Sequence, residues 1–365
     1  MDRFDYVIVG GGAAGCVLAY RLTADPDVRV LVIEAGGPDR HPFIHMPKGI
    51  ARVMADLRYI WPYMTEPEEA TDGLAESWTR GRTLGGSSSI NGMVYVRGQD
   101  ADFNELARRA GDDWNWPRIG NAYRELEAHE LGPAATRGDR GPLRISMPPE
   151  RPPLMEAAIA AGQTMGLERK QDVNDPEDCE RIGYAPRTIW KGRRQSAATA
   201  FLKPALKRPN LTVVTGVAVD RVLFDGRRAV GITGSRVGEA VEYRAEREVI
   251  LCAGALSSPA ILQRSGVGPA DHLRSLGINV RHDSPEVGEN VREHRGFVMQ
   301  WRVRDALSWN HHFRGVRLFG NALRYFLTHG GPLAGSAYEV GGWLRSHGDA
   351  GRPDMQILVA PFSFD

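Results

Sequence analysis

The first 34 residues alternate between short apolar runs and one glycine-rich turn. Phe4–Val9 is a nearly continuous apolar run, which is typical of a parallel strand covered on both faces. Residues 10–15 read GGGAAG, residues 14–24 have a helical apolar pattern, and residues 28–34 (VRVLVIE) form a second strand-like run. The pattern therefore predicts a β–turn–α–β unit at the start of the chain.

The rest of the chain divides into an irregular, a helical and a strand-rich stretch. Residues 36–79 carry several prolines and aromatics, and we expect a long ordered excursion there rather than a linker. Helices are predicted over residues 100–109, 117–129, 154–165, 197–206 (with Ser196 as N-cap) and 271–276, and a Gly/Ser/Pro loop leading into a helix over residues 254–268. Strands are predicted over residues 211–214, 218–224, 230–233, 241–243 and 248–252, and nothing is assigned after residue 295.

Composition and charge exclude several classes of protein. Hydrophobic residues make up 42% and charged residues 25% of the 365 residues, which is the balance of a globular chain. Lys and Arg number 46 against 45 Asp and Glu, so the net charge is +1 and nucleic acid is not an expected partner. The three cysteines lie far apart, so neither a disulfide framework nor a metal site is expected.

The apolar runs are too short for a membrane span, which needs about 18 residues. The N-terminus lacks the pattern of a signal peptide. We therefore predict a cytoplasmic protein without an integral membrane segment. Peripheral association with the inner membrane stays open, although we recognise no amphipathic stretch that supports it.

The opening turn has the spacing of a dinucleotide-binding fingerprint. Gly10, Gly12 and Gly15 fit G-x-G-x-x-G, whose glycines allow a tight turn and a close approach of backbone to a pyrophosphate. Glu34 ends the second predicted strand, where a carboxylate can bind a ribose hydroxyl. The strand before, the helix after and this acid favour a dinucleotide site over a ligand-free turn, but they do not separate FAD from NAD.

A second glycine-rich segment lies at residues 81–98 (GRTLGGSSSINGMVYVRG). Its GGSSS run offers consecutive backbone N–H groups and hydroxyls, which suit an anion. Such runs are usually flexible loops, but the apolar residues that follow at once have no place in a solvated linker. We therefore expect an ordered segment that faces the cofactor.

These motifs resemble those of the glucose–methanol–choline (GMC) oxidoreductases, flavoenzymes that oxidise alcohols. The closest similarity lies in residues 81–104 and 254–268 (GALSSPAILQRSGVG), with more in residues 10–15, 58–68, 195–226 and 287–294. The resemblance implies an α/β fold with a discontinuous Rossmann-like FAD-binding domain (residues 1–150 and 204–300). It also implies an α+β substrate domain with an antiparallel sheet (residues 151–203 and 301–365), whose C-terminal part is missing.

The resemblance also implies a set of cofactor-binding residues. The pyrophosphate and adenosine ribose would be held by Gly10, Gly12, Ala13, Ala14, Gly15 and Glu34, and the pyrophosphate from its other side by Arg82, Thr83, Gly86, Ser87 and Ser88. Asn91, Gly92, Met93 and Val94 would run beside the isoalloxazine ring, and the main chain of Val217 would meet the adenine end. Some relatives attach the flavin to a histidine just before this Asn. Ile90 occupies that position here, so we expect noncovalent FAD.

The implied reaction is FAD-dependent oxidation of a primary alcohol to an aldehyde. A general base takes the alcohol proton while hydride passes to flavin N5. The family's base, a His with a second His or Asn, has no counterpart in this sequence, so we place it beyond Asp365 and name no catalytic residue. The expected function is a choline-dehydrogenase-like alcohol dehydrogenase or oxidase. Its electron acceptor would be O2 or a respiratory carrier.

Two other functions and the oligomeric state stay open at this point. The first alternative is a truncated FAD-binding fragment without activity, and the second is a GMC-fold lyase or light-driven decarboxylase. His294 and the adjacent His311 and His312 are interpreted as structural or surface residues rather than as proton donors.

Overall fold

The computed structural model describes residues 3–175, 179–304 and 307–363. It divides into two compact units. The first consists of Met1–His41, Ala51–Asn91 and Ser196–Phe297, and the second of Pro42–Ile50, Gly92–Gln195 and Val298–Asp365. The domain boundaries expected from the sequence differ from the boundaries of these two units. The expected boundaries stay a prediction.

Helices are distributed over both units. Within the described residues the α-helices are α1 (Ala13–Leu22), α2 (Pro42–His45), α3 (Ile50–Met54), α4 (Asp100–Ala110), α5 (Trp116–Leu126), α6 (Pro153–Thr164), α7 (Lys203–Ala205), α8 (Gly254–Arg264), α9 (Ala270–Ser275) and α10 (Gly315–Thr328). Short 3-10 helices include Gly86–Ser89, and Ala198–Leu202 is a short π-helix. In the ranges described, no helix is both long and apolar enough to cross a membrane.

The strands are mostly short. They are β1 (Phe4–Val9), β2 (Val30–Glu34), β3 (Ile60–Met64), β4 (Ser77–Gly81), β5 (Glu127–His129), β6 (Leu143–Ile145), β7 (Glu168–Arg169), β8 (Arg181–Tyr184), β9 (Ile189–Trp190), β10 (Arg193–Arg194), β11 (Leu211–Thr215), β12 (Val217–Asp225), β13 (Arg228–Arg236), β14 (Glu239–Leu251), β15 (Val267–Gly268), β16 (His282–Asp283), β17 (Val340–Leu344) and β18 (Met355–Val359).

A six-stranded sheet organises the first unit. Its order is β11–β2–β1–β14–β13–β12; the first four strands are parallel, and β13 pairs antiparallel with both β14 and β12. Val7, Ile8 and Val32 have no exposed surface, because the central parallel strands are covered on both faces. The predicted β–turn–α–β unit is confirmed by β1, α1 and β2.

The strand β14 replaces two shorter strands predicted from the sequence, at residues 241–243 and 248–252. Its first half pairs antiparallel with β13, up to Arg244, and its second half pairs parallel with β1, from Ala245. Glu246 and Arg247 are exposed at this change of partner. Their polarity interrupts the apolar pattern without interrupting the strand, because backbone hydrogen bonds continue on alternate edges.

A four-stranded sheet organises the second unit. Its order is β18–β17–β8–β7, with antiparallel pairing from β18 to β8 and one parallel pair at the edge. The helix α6 packs on it through Met155 and Ile159, which are fully buried with Ile182 in one apolar cluster. The predicted fold class, mixed α/β with a parallel sheet and a second, antiparallel one, is confirmed.

Two predicted elements are wrong in detail. The helix predicted over residues 117–129 ends at Leu126, because Glu127 leaves it for β5 and is fully buried there. The loop predicted at the start of residues 254–268 is α8, which begins at Gly254 with φ +89° and accepts Pro259 in its first turns. The high Gly, Ser and Pro content of this segment belongs to a helix start rather than to a loop.

Candidate functional site

The opening glycine turn connects β1 to α1 at the carboxyl end of the sheet. Gly10 has φ +106°, and a Cβ there would lie 2.4 Å from the Cys252 carbonyl oxygen. A Cβ on Gly15 would lie 2.0 Å from the Gly10 carbonyl oxygen, so neither position admits a side chain. The turn is held to glycine by the protein's own packing, independently of any ligand.

Within the described residues, no side chain caps the backbone N–H groups in the first turn of α1. Gly12 caps the helix without a side-chain hydrogen bond, and no acidic residue lies in the first turn. Ala13 and Ala14, the first two helical residues, are exposed. Unpaired N–H groups and the positive end of the helix dipole are features that suit an anion.

The second glycine segment lies directly against the first. Gly85 and Gly86 have φ values of +87° and +53°, and the Gly85 N–H donates to the Gly11 carbonyl at 2.7 Å. A Cβ on Gly86 would lie 2.8 Å from Gly12 Cα. The backbones of two segments about 75 residues apart in sequence are thus in direct contact. This contact leaves no space for a side chain at Gly86.

The Glu34 carboxylate fixes the turn after β2. Its Oε2 accepts from the Gly11 N–H at 2.9 Å and its Oε1 from the Gly36 N–H at 2.8 Å. The side chain is buried, and burial raises the pKa of this carboxyl against the lowering effect of the two N–H groups and of Arg82. Each oxygen still has a second lone pair, so the group can also accept from a hydroxyl.

Arg82 lies beside these segments. Its side chain is half-buried, and its guanidinium N–H groups are not hydrogen-bonded within the described residues. The Nε atom is fully buried. The guanidinium lies 4.6 Å from the centre of the Trp61 ring. Its neighbour Thr83 is fully buried, and the Thr83 hydroxyl donates to the Gly37 carbonyl at 2.9 Å.

The two serines of the second segment have different roles. Ser87 is exposed, and its Oγ accepts from the Gly81 N–H at 3.0 Å. The Ser88 hydroxyl donates to the Gly85 carbonyl at 2.6 Å and accepts from the Ala197 N–H at 2.9 Å. Ser88 therefore links this segment to the residue before the π-helix, whereas the Ser87 hydroxyl donates to no acceptor among the described residues.

Val217 lies at the far end of the same group of segments. Its side chain is buried in the core of the first unit, and the preceding Gly216 N–H donates to the Gly36 carbonyl at 3.0 Å. Only the main chain of Val217 is available to a ligand. The first unit thus brings together the turns around Gly10, Glu34, Arg82 and Val217.

Four of the predicted residues lie at or beyond the end of this group. Asn91, the last residue of its segment in the first unit, is exposed. Gly92, Met93 and Val94 belong to the second unit, where the Met93 carbonyl accepts from the Thr188 N–H at 2.9 Å. Met93 is buried with φ +63°, a strained conformation for this residue that the sequence gives no sign of.

A third segment also contacts the glycine turn, and sequence reasoning did not assign it to the site. The Cys252 carbonyl lies against Gly10, and the Ala253 N–H donates to Ser258 Oγ at 3.1 Å. The signal was available, because residues 254–268 form one of the motifs that carry the resemblance. The Gly, Ser and Pro residues at its start predict a loop, which gives no sign of a contact with the glycine turn.

The remaining candidate groups do not gather into a second centre. His294 is exposed, and His311 Nδ1 lies 2.8 Å from the Ser308 carbonyl oxygen, with the His312 ring 4.0 Å away. Burial lowers the pKa of His312. Among the described residues no three His, Cys, Asp or Glu side chains are placed to hold a metal ion. Asp365, beyond which we placed the family's base, lies outside the described residues.

Comparisons with known proteins agree with the resemblance. The family model described as GMC oxidoreductase matches residues 4–295. The chain is 40% identical over 370 residues to an oxygen-dependent choline dehydrogenase of Ectopseudomonas mendocina, a match that covers 100% of this chain and 65% of the relative. A choline dehydrogenase of Pseudomonas putida is 41% identical, with 66% of its length covered. The chain thus spans slightly less than two thirds of the relatives it matches.

Two solved structures show the same fold. The pyridoxine 4-oxidase from Mesorbium loti has a TM-score of 0.74 at 40% identity, covering 78% of this chain and 56% of the oxidase. A formate oxidase of Aspergillus oryzae has a TM-score of 0.84 at 29% identity, covering 94% and 62%.

Proposed function

Because the chain belongs to the GMC oxidoreductase family, whose cofactor is FAD, we propose that it forms the FAD-binding part of an enzyme that oxidises a primary alcohol to an aldehyde. The observation that carries this proposal is the contact between the two glycine segments beside the unspent donors of α1 and Arg82. When bound, FAD supplies the acceptor for the hydride of the alcohol carbon.

The residues of the first unit fit the diphosphate of this cofactor. The uncapped first turn of α1 would donate to one phosphate, and Arg82 with the Ser87 hydroxyl would contact the group from the other segment. Gly12 has nothing closer than 3.9 Å where a Cβ would stand, which leaves room for a close approach of phosphate. Glu34 would accept from the adenosine ribose, and the Val217 main chain would face the adenine.

We propose that the flavin is held noncovalently. Ile90 is buried and carries no nucleophile that could bond to the flavin ring. Acid precipitation of the yellow protein should therefore leave all flavin in the supernatant. Flavin that stays with the precipitated polypeptide would contradict this part of the proposal.

The substrate class is a small primary alcohol, and the acceptor is O2 or a respiratory carrier. Relatives named choline dehydrogenase and pyridoxine 4-oxidase support two specific candidates, a quaternary ammonium alcohol and a neutral pyridine methanol. A cytoplasmic location and the absence of a nucleic-acid partner belong to the same proposal.

One experiment tests the activity directly. The purified chain is reconstituted with FAD, and its absorption near 450 nm is followed anaerobically after addition of choline, pyridoxine or benzyl alcohol. Bleaching by any of these supports an alcohol oxidoreductase, and the relative rates identify the substrate class. Bound flavin without bleaching instead supports an FAD-binding fragment that lacks its catalytic base.

A further inference from the structure

The helix α10 carries a continuous apolar stripe that no described residue of its unit covers. The stripe consists of Val316, Phe319, Leu323, Phe326 and Leu327, whose exposed fractions are 87, 74, 53, 53 and 74%. Spacings of three and four residues place all five on one side of the helix. The hydrophobic pattern predicts no element after residue 295, so this amphipathic helix was not expected from the sequence.

The opposite side of α10 is fixed to the protein. Tyr325 is buried, and its hydroxyl donates to the Gly192 carbonyl at 3.0 Å. It packs with Met46 and Leu333 in one apolar cluster. The exposed stripe therefore belongs to a folded helix whose opposite side is packed against the rest of its unit.

Positive charge borders the stripe on one side. At about 100° per residue, Arg317 and Arg324 lie together at the edge of the apolar arc, and Arg314 precedes the helix. All three are exposed, and within the ranges described none forms an ion pair with a carboxylate. Residues 307–338 contain no Asp or Glu, although the whole chain is nearly neutral.

This charge pattern selects between candidate occupants. In a symmetric dimer the same face of a second copy would be opposed to it, bringing arginines towards arginines with no carboxylate between them. An anionic lipid surface, in contrast, offers an apolar interior beside phosphates. Helices with Phe and Leu on one face and Arg at its border lie in such surfaces.

We propose that α10 is an interfacial helix that inserts its apolar stripe into the surface of an anionic bilayer, with Arg317 and Arg324 at lipid phosphates. The proposed contact is peripheral, since a helix of 14 residues is too short to span a bilayer. The helix would lie parallel to the bilayer surface. The proposal is independent of the chemistry of the flavin site.

The test is sedimentation of the full 365-residue chain with large unilamellar vesicles. Vesicles of phosphatidylcholine with 30% phosphatidylglycerol should bind the chain. The affinity for pure phosphatidylcholine vesicles should be weaker by a factor of about ten at least. Raising the salt concentration should reduce only the first, because it screens the arginines and not the apolar contact.

Variants identify the surface that binds. F319S/F326S should lower partitioning onto both vesicles at least about tenfold, and R317Q/R324Q should lower it about tenfold on the anionic vesicles alone. The matched control is V298S/M299S, which removes two apolar side chains with exposed fractions of 70 and 57% outside the helix and should change nothing. Far-UV circular dichroism checks that each variant is folded.

Three results would overturn the proposal. The first is no binding of the 365-residue chain to anionic vesicles, since the stripe is exposed in this chain and would then have no affinity for the bilayer. The second is an equal loss of binding in V298S/M299S, which would mean that any exposed apolar group suffices. The third is a doubled mass in light scattering that F319S/F326S abolishes, with no vesicle binding, since the stripe would then join two copies.

Discussion

Two arginines, one in each unit, show opposite ways of placing a cation inside a protein. Arg97 in the second unit is buried, and its guanidinium forms an ion pair with the buried Glu127 and donates to the Thr136 carbonyl at 2.6 Å. Arg82 in the first unit is half-buried and donates no hydrogen bond within the described part of the chain. The Arg97 guanidinium is neutralised by an internal carboxylate. The Arg82 guanidinium has no hydrogen-bond acceptor among the described residues.

The surroundings of Glu127 explain why its pair is structural. Tyr95 donates to its Oε2 at 2.7 Å and the Gly138 N–H to its Oε1 at 3.0 Å, so both oxygens are satisfied inside the protein. The carboxylate that interacts electrostatically with Arg82 is that of Glu34, whose oxygens already accept two backbone N–H groups. An arginine and a helix N-terminus without a carboxylate partner are the groups that the proposed diphosphate site requires.

The largest expected effect follows from breaking the internal pair. Arg97→Ala leaves the Glu127 carboxylate buried without its counterion, and the free energy of unfolding should fall by about 3–5 kcal/mol. Urea denaturation followed by circular dichroism measures this. Arg82→Ala is the control and should lose less than about 1 kcal/mol. Equal losses in the two variants would erase the distinction between the arginines.

The second effect is the converse one, on ligand affinity. Arg82→Ala should weaken FAD binding by about 1.5–3 kcal/mol, the usual contribution of a hydrogen bond to a charged group. Arg82→Lys should recover only part of this, because lysine keeps the charge and loses the planar fork. Isothermal titration of the apo chain gives the affinities. Unchanged FAD affinity in Arg82→Ala would remove Arg82 from the site.

How far the sequence predicted this arrangement depends on whether each contact is local. The first glycine turn was predictable because G-x-G-x-x-G, the strand before it and Glu34 lie within one β–turn–α–β unit. The meeting of Gly86 with Gly12 is a contact between distant segments, and only the family resemblance pointed to it. The buried state of Glu127 was not predictable, since the helix predicted over residues 117–129 includes this residue, whereas the structure places it in β5.

A third effect separates the ligand from the fold at one glycine. Gly12→Ala adds a methyl group that meets no atom closer than 3.9 Å, so the stability of the apo chain should change by about 0.5 kcal/mol or less. The same methyl group stands where phosphate would approach, and FAD affinity should fall about tenfold. Gly15→Ala is the contrasting variant, because its Cβ would lie 2.0 Å from the Gly10 carbonyl and should prevent folding. A Gly12→Ala chain that binds FAD normally would contradict the proposed approach of the diphosphate.

The smallest effect tests where the positive field of α1 points. Burial raises the pKa of the Cys16 thiol to about 12, although helix N-termini usually lower thiol pKa values. Because the folded pKa lies above the unfolded one, stability is full below pH 9 and falls by about 1 kcal/mol on going from pH 8 to pH 10. Cys16→Ala should remove this fall. Reaction of Cys16 with iodoacetamide in the native chain at pH 8 would contradict the raised pKa. It would show that the positive end of the α1 dipole stabilises the Cys16 thiolate.

The most direct test of the central claim compares two flavins on the same apo chain. FAD and riboflavin share the isoalloxazine ring, but only FAD carries the diphosphate and the adenosine. Titration followed by flavin fluorescence should show one FAD site and a riboflavin affinity at least about a hundredfold weaker, because the contacts proposed here lie at the diphosphate, the ribose and the adenine. Equal affinities, or a chain that binds neither flavin, would contradict the account.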